Sequence, residues 1–299
     1  MQVTLEHTNS SAIAAALVRA RHQSGSPAMD MVLTLIVVCD DETVTDALAA
    51  ATTLSREHPA RVIGVILGKR TGAADLHAKI RVGSETSGES ILLRLSGRLV
   101  PHAESAVLPL LLPDSPVVVW WPGPAPTDPS ADAMGALANR RLTDAEAAPR
   151  PLRSLQASAK AYTPGDTDLS WTRLTPWRAL LAAAYDQVRS PVTGGVIEAG
   201  PGNPAGVLLE SWLESRLGVH VSWKKIESEK IQRVVLTTAR GDICIERDAD
   251  DSATFSVPGA APRTVPLPTR TLAELLAEDL RRLDADEVYG ATVQRLVKA

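Results

Sequence analysis

His102 and Glu104 stand two residues apart, a spacing that could set an imidazole and a carboxylate on one proton or one metal ion. They also open an apolar segment behind Pro101, where Glu104 would sit at the positive end of a helix. The helix start is the simpler reading. Asp40, Asp41 and Glu42 follow an apolar run and could face Mg²⁺ at the carboxyl edge of a strand. Acidic side chains there also cap helices, and capping is the preferred reading. Cys39 and Cys244 read as two small buried hydrophobes. A redox pair would need their Cα atoms within about 7 Å, which spacing does not show. No G-x-G-x-x-G follows the first apolar run, where two carboxylates would meet a pyrophosphate in place of bare amides. G-x-x-x-x-G-K-[ST], H-E-x-x-H and G-x-S-x-G are missing as well. The expectation is a chain without catalytic residues, cofactor or metal ion.

Two stretches hold the rare residue types. Trp120 and Trp121 are adjacent in Pro116–Trp121 (PVVVWW). On a strand they point to opposite faces, so one is expected in the core and the other under a helix, another domain or a partner. Further on, Asp166 and Asp168 lead into Trp171, Arg173, Trp177 and Arg178. Tryptophan and arginine dominate protein-docking hot spots, so these eight residues form the candidate partner-binding set. They could equally seal a junction between domains, with Asp166 or Asp168 pairing Arg173 or Arg178; spacing leaves the two readings level.

The elements that must position them come from hydropathy patterning. Met31–Cys39 and Arg61–Leu67 are apolar, β-branched runs separated by a helical Thr43–Glu57, a βαβ unit with a parallel pair. Ser10–Arg21 reads as a helix capped by Ser10 or Ser11. Ala78–Val82 and Ser90–Leu95 read as strands, Ala103–Leu112 and Ala133–Arg140 as helices, and Arg150–Lys160 as another. Asp168 caps a helix over Leu169–Gln187 that Pro176 interrupts. After Val192–Glu198 and a helix over Pro204–Leu217, five short strands between Val219 and Leu267 read as an antiparallel meander. Two helices, Thr271–Arg282 and Asp284–Leu296, follow. The fold class expected is an α/β N-terminal domain, residues 1–161, plus an α+β C-terminal domain, residues 162–299.

Composition bounds the function. The chain has 299 residues, 44% hydrophobic and 22% charged, with 31 basic against 35 acidic residues and a net charge of −4. That sum argues against nucleic-acid binding, which needs a cationic footprint. One phenylalanine against six tryptophans implies an aliphatic core in which each tryptophan is conspicuous. No apolar run reaches membrane-spanning length. Met1–Glu6 lacks a basic start before an apolar block, so a cytoplasmic protein is expected.

LPLLLPDSPVVVWWPG and YTPGDTDLSWTRLTPWRALLAAAYDQ resemble the glucose-6-phosphate dehydrogenase assembly protein family, OpcA. VLTLIVVCDD, SREHPARVIGVI, HAESAVLPLLLPD and LAEDLRRLDADEVYG extend the resemblance along nearly the whole chain. The resemblance implies a bacterial cytoplasmic protein of two domains that is no enzyme. It implies an assembly factor or allosteric activator with glucose-6-phosphate dehydrogenase as partner, serving the oxidative pentose phosphate pathway. The cysteines that make this effect redox-dependent in the photosynthetic branch have no match in Cys39 or Cys244. The alternative from a different class is a sugar-phosphate-binding protein or degenerate enzyme, with Asp40, Asp41, His102, Arg173 and Arg178 lining a cleft between the domains.

Overall fold

The computed structural model describes residues 1–24, 31–83, 88–249 and 251–298. In chain order the elements are β1 (Gln2–Leu5), α1 (Ser10–Ser24), β2 (Leu33–Cys39), α2 (Val44–Leu54), β3 (Ala60–Leu67), β4 (Asp75–Gly83) and β5 (Gly88–Ser96). Then come α3 (Ala103–Val107), β6 (Val117–Trp121), β7 (Arg140–Thr143), α4 (Pro151–Lys160), β8 (Asp166–Asp168), α5 (Leu169–Arg173) and α6 (Thr175–Val188). The rest are β9 (Val192–Ala199), α7 (Pro204–Leu217), β10 (Val221–Lys225), β11 (Arg233–Thr238), β12 (Gly241–Ala249), β13 (Ser252–Ser256), β14 (Arg263–Pro266), α8 (Leu272–Leu280) and α9 (Glu287–Lys298). No helix among the described residues is long and apolar enough to cross a membrane.

The chain forms two compact units. The first comprises Met1–Asp144, Gly165–Thr167 and Leu272–Ala285; the second comprises Ala145–Pro164, Asp168–Thr271 and Asp286–Ala299. The units do not follow a single cut through the chain.

The first unit is built on an eight-stranded sheet ordered β1-β4-β5-β3-β2-β6-β7-β8. β2, β3, β5, β6 and β7 pair in parallel, and β4 and β1 add antiparallel strands at one side. β2 and β6 are buried along their whole length, as their unbroken apolar runs require of strands covered on both faces. Trp120 and Trp121 are 0% and 3% exposed. Both belong to the interior because both faces are covered, which corrects the expectation of one core tryptophan.

Other expectations give way to local chemistry. Asn9 supplies the cap of α1, accepting the Ala12 N–H at 3.0 Å, in place of Ser10 or Ser11. Ala103–Leu112 is a short helix flanked by 3₁₀ turns, Gly97–His102 and Leu108–Leu110, with Pro101 and Pro109 inside them. Proline lacks the N–H that a continuous helix needs. The helix expected over Ala133–Arg140 is a 3₁₀ turn, Gly135–Leu137, running into β7.

Charge is buried inside the first unit in matched pairs. Arg61 on β3 and Glu89 on β5 are register partners, 4% and 5% exposed. Arg61 Nε donates to Glu89 at 2.8 Å and its Nη1 donates to the Leu110 carbonyl at 2.6 Å. Arg21 of α1 closes on the same carboxylate, with Nη2 at 2.9 Å. Burial pulls the Arg61 guanidinium below its ordinary range, and the Glu89 carboxylate opposes that. Arg140 and Arg141 are consecutive on β7 and both buried. Arg140 donates to Asp279 of α8 at 2.9 and 2.6 Å, and Arg141 binds Asp166 on β8.

The second unit holds a six-stranded sheet ordered β10-β9-β11-β12-β13-β14. β11 to β14 form the expected meander, while β10 runs parallel to β9. The parallel pair follows from α7, which crosses over between β9 and β10. Gly206 lets α7 approach β10 closely, since a Cβ there would stand 2.3 Å from the Trp223 ring. The core of this unit is aliphatic apart from Trp171, Trp177, Phe255 and Tyr289.

Glu89→Ala strands Arg61 in the interior, and breaking such a pair costs about 3–5 kcal/mol. Urea unfolding of the full chain followed by circular dichroism is expected to show a loss of this size. A midpoint equal to wild type would contradict the role given to Glu89.

Candidate functional site

Asp168 is the fixed point of the Trp/Arg stretch. It is 0% exposed, and its carboxylate accepts the Ser170 N–H at 2.9 Å, capping α5. Its second oxygen accepts the Ala145 N–H, also at 2.9 Å. A carboxylate at a helix start satisfies otherwise orphaned amides. The cap is the one the sequence indicates, and the tie to Ala145 is not visible in it. α5 ends after five residues and α6 starts at Thr175 with Pro176 in its first turn, where proline is tolerated.

The side chains these helices carry are mostly committed. Trp171 is 2% exposed, and its indole N–H donates to Asp286 at 2.8 Å. The Arg178 guanidinium lies 3.7 Å from the Trp171 ring centroid, and the Tyr289 ring is 5.8 Å away. Tyr289 in turn meets Tyr162 edge-on at 5.9 Å. A Cβ at Gly290 would stand 2.5 Å from the Tyr162 hydroxyl, so α9 comes close there. Trp177 is 3% exposed and faces the Arg247 guanidinium at 5.7 Å. The burial of Trp171 and Trp177 makes them packing anchors of the second unit.

Asp166 pairs with Arg141 and Arg173 lies 3.3 Å from Glu146, partners that the local spacing does not indicate. Trp120, Trp121 and Asp166 lie in the first unit, and Asp168, Trp171, Arg173, Trp177 and Arg178 in the second. Arg173 is a quarter exposed.

Arg173 and Trp177 line a recess of about 110 Å³ in the second unit. Glu146 enters from the 3₁₀ turn Ala145–Ala147, and Asn203 from the cap of α7. Glu229 and Lys230 come from the loop before β11, Arg247 from β12, and Thr269 and Arg270 from the segment after β14. Asn203 is held by accepting from the Gly206 N–H at 2.7 Å. Arg247 is braced by the carbonyls of Ile231 and Leu267 at 3.4 and 3.1 Å. Lys230 Nζ donates to the Thr269 hydroxyl at 3.3 Å.

Arg173, Lys230, Arg247 and Arg270 share this lining with Glu146 and Glu229, an excess of positive charge. The lining holds no histidine, cysteine or serine among the described residues. Such a wall can grip a carboxylate or phosphate through forked guanidinium donors. Lys230, Arg247 and Arg270 escaped the sequence reading because single basic residues in strands and loops carry no local signature.

Asp40, Asp41 and Glu104 each have a local partner. Asp40 accepts from the Glu42 and Thr43 backbone amides at 3.1 and 2.9 Å and from the Thr43 hydroxyl at 2.8 Å. Those bonds hold its carboxyl below the ordinary range. Asp41 pairs with Arg94 at 2.6 Å. Burial, helped by Asp40 and Asp41, pushes the Cys39 thiol up to about 12, which leaves little thiolate for redox chemistry. His102 is exposed, and Glu104 accepts from the Ser105 hydroxyl at 3.1 Å.

Asp168→Ala removes a cap and leaves the Ala145 amide unsatisfied, which together cost about 2–4 kcal/mol. Urea unfolding of the full chain is expected to register that loss, with Asp168→Asn falling between the variant and wild type. Wild-type stability in Asp168→Ala would remove Asp168 from its place as anchor.

Residues 51–160 match the model of the glucose-6-phosphate dehydrogenase subunit N-terminal domain of OpcA proteins. Residues 164–293 match the model of that subunit's C-terminal domain. OpcA of Nostoc punctiforme is 29% identical over 154 residues, covering 48% of this chain and 30% of that protein. OpcA of Synechococcus elongatus is 29% identical over 188 residues, covering 55% of this chain and 41% of that protein. Both names assign their bearers provisionally to the OxPP cycle. The matched region spans well under two thirds of either relative. An oxidoreductase from Sinorhizobium meliloti superimposes with a TM-score of 0.46 at 9% identity, covering 89% of this chain and 95% of that one. An NAD binding oxidoreductase from Klebsiella pneumoniae gives 0.40 at 9% identity over the same shares. Likenesses this distant bear on neither fold nor chemistry. With two domain models of one family matching in succession from residue 51 to residue 293, the chain belongs to the OpcA family.

Proposed function

We propose that this chain is a non-catalytic assembly factor and allosteric activator of glucose-6-phosphate dehydrogenase, acting in the cytoplasm and supporting the oxidative pentose phosphate pathway. The observation that carries the reading is the succession of two family models, each described as a domain of a glucose-6-phosphate dehydrogenase subunit. Residues 1–161 and 162–299 would be the two domains it brings to the complex. A binding protein shifts its partner's conformational equilibrium only by its differential affinity for the two states. A coupling of about 1–3 kcal/mol changes apparent substrate affinity by about 5- to 150-fold.

Within the candidate docking set, Arg173 lines the recess and is a quarter exposed. Asp168, Trp171, Trp177 and Arg178 would contribute by holding the shape of the second unit that presents it, and Trp120, Trp121 and Asp166 by holding the shape of the first. Purified dehydrogenase from the same source, assayed with and without the full chain, is expected to co-elute with it and to change its KM or kcat. Arg173→Glu is expected to weaken both effects at least tenfold while the chain keeps its unfolding midpoint. Unchanged kinetics together with separate elution would rule the reading out.

The cationic wall favours one addition, a phosphorylated small metabolite bound in the recess. Calorimetry with glucose 6-phosphate is expected to give saturable heat that Arg173→Ala with Arg247→Ala abolishes. Heat undiminished in that double variant would place the ligand elsewhere; no heat would discard the addition and leave the docking reading standing.

A further inference from the structure

The pairing of β1 with β4 brings three metal-ligand side chains together in the first unit. Leu5 pairs with Ala78, and the Thr8 N–H extends the contact by donating to the Leu76 carbonyl at 2.8 Å. Asp75 and His77 are two apart on β4, so they share one face of the strand. Leu76 and Ala78 take the opposite, buried face, each 3% exposed. His7 follows β1 with φ 47°, a left-handed value seldom adopted outside glycine. There its ring meets the same face: His7 Nδ1 lies 2.9 Å from Asp75 Oδ1, and His77 Nε2 lies 2.9 Å from Asp75 Oδ2. The two imidazole rings are 4.9 Å apart between centroids.

We propose that His7, Asp75 and His77 form a binding site for a divalent transition-metal ion of the zinc class. One donor atom from each residue lies within 4.8 Å of the other two. Zinc holds nitrogen and carboxylate oxygen at about 2.0–2.2 Å, which sets its donors roughly 3–3.5 Å apart. Side-chain rotation alone closes the difference, because the His7 side chain is 76% exposed and the His77 side chain 37%. Two imidazoles and one carboxylate suit zinc and its neighbours, where calcium and magnesium prefer oxygen alone. Three protein donors leave a fourth position for water or for a side chain from another molecule. The site lies outside every motif quoted for the family resemblance, and it rests on none of the reasoning about the dehydrogenase.

The test uses the untagged full chain, stripped with a chelator and titrated with ZnCl₂ by calorimetry. One equivalent of zinc is expected to bind per chain. His7→Ala and His77→Ala are each expected to weaken binding at least about tenfold, since loss of even an outer partner of a metal ligand costs about 10–100-fold. His220→Ala, removing a histidine of the second unit, is expected to change nothing. In the wild-type chain, histidine ring signals followed by nuclear magnetic resonance are expected to shift on zinc addition at His7 and His77, and not at the other four. That readout needs no variant to fold. Absence of saturable zinc uptake, uptake by His7→Ala/His77→Ala equal to wild type, or shifts confined to other histidines would each overturn the proposal.

Discussion

Asp168 joins two pieces of backbone that lie far apart along the chain, the start of α5 and the turn that begins at Ala145. Both its oxygens accept from main-chain amides where Asp168 is wholly buried, and a buried unmet amide is costly. The consequence reaches the recess from two sides. Ala145 is followed by Glu146, and α5 ends at Arg173; the pair at 3.3 Å therefore rests on the carboxylate that seats their two segments. Trp177 then falls in the first turn of α6, one side of its ring toward the core and Arg247 near its face.

Arginine is used in two ways in this molecule. In the first unit, Arg61, Arg140 and Arg141 are interior and matched to Glu89, Asp279 and Asp166, pairs that fix register and helix position at a desolvation cost. In the second unit, Arg173, Arg247 and Arg270 line one recess, Arg247 braced by two carbonyls and an indole ring. A net charge of −4 for the whole chain conceals that wall. A local cationic surface on an acidic protein suits selective recognition of an anionic group more than general attraction to polyanions.

Much of the fold was legible where one physical effect dominates. The apolar runs of β2 and β3 admit only strands covered on both faces, and Asp168 before Leu169 is a cap by chemistry. Reading failed where tertiary partners decide. Pro109 broke the apolar segment Ala103–Leu112, which otherwise reads as a helix. β10 looks like any short exposed strand until α7 makes it parallel to β9. The site was half visible: Arg173 and Trp177 stand out against an aromatic-poor sequence, while Lys230, Arg247 and Arg270 join them only through the sheet. The His7, Asp75 and His77 cluster was invisible because 68 residues separate its first two members.

If this OpcA-family chain acts as proposed, glucose-6-phosphate dehydrogenase covers part of its surface when it binds. Amide hydrogen exchange followed by mass spectrometry, on the full chain alone and mixed with the dehydrogenase, reads that covering segment by segment. Slowed exchange is expected in the dehydrogenase's presence for segments around Glu146, Arg173 and Lys230. Identical exchange along the whole chain at saturating dehydrogenase would contradict it.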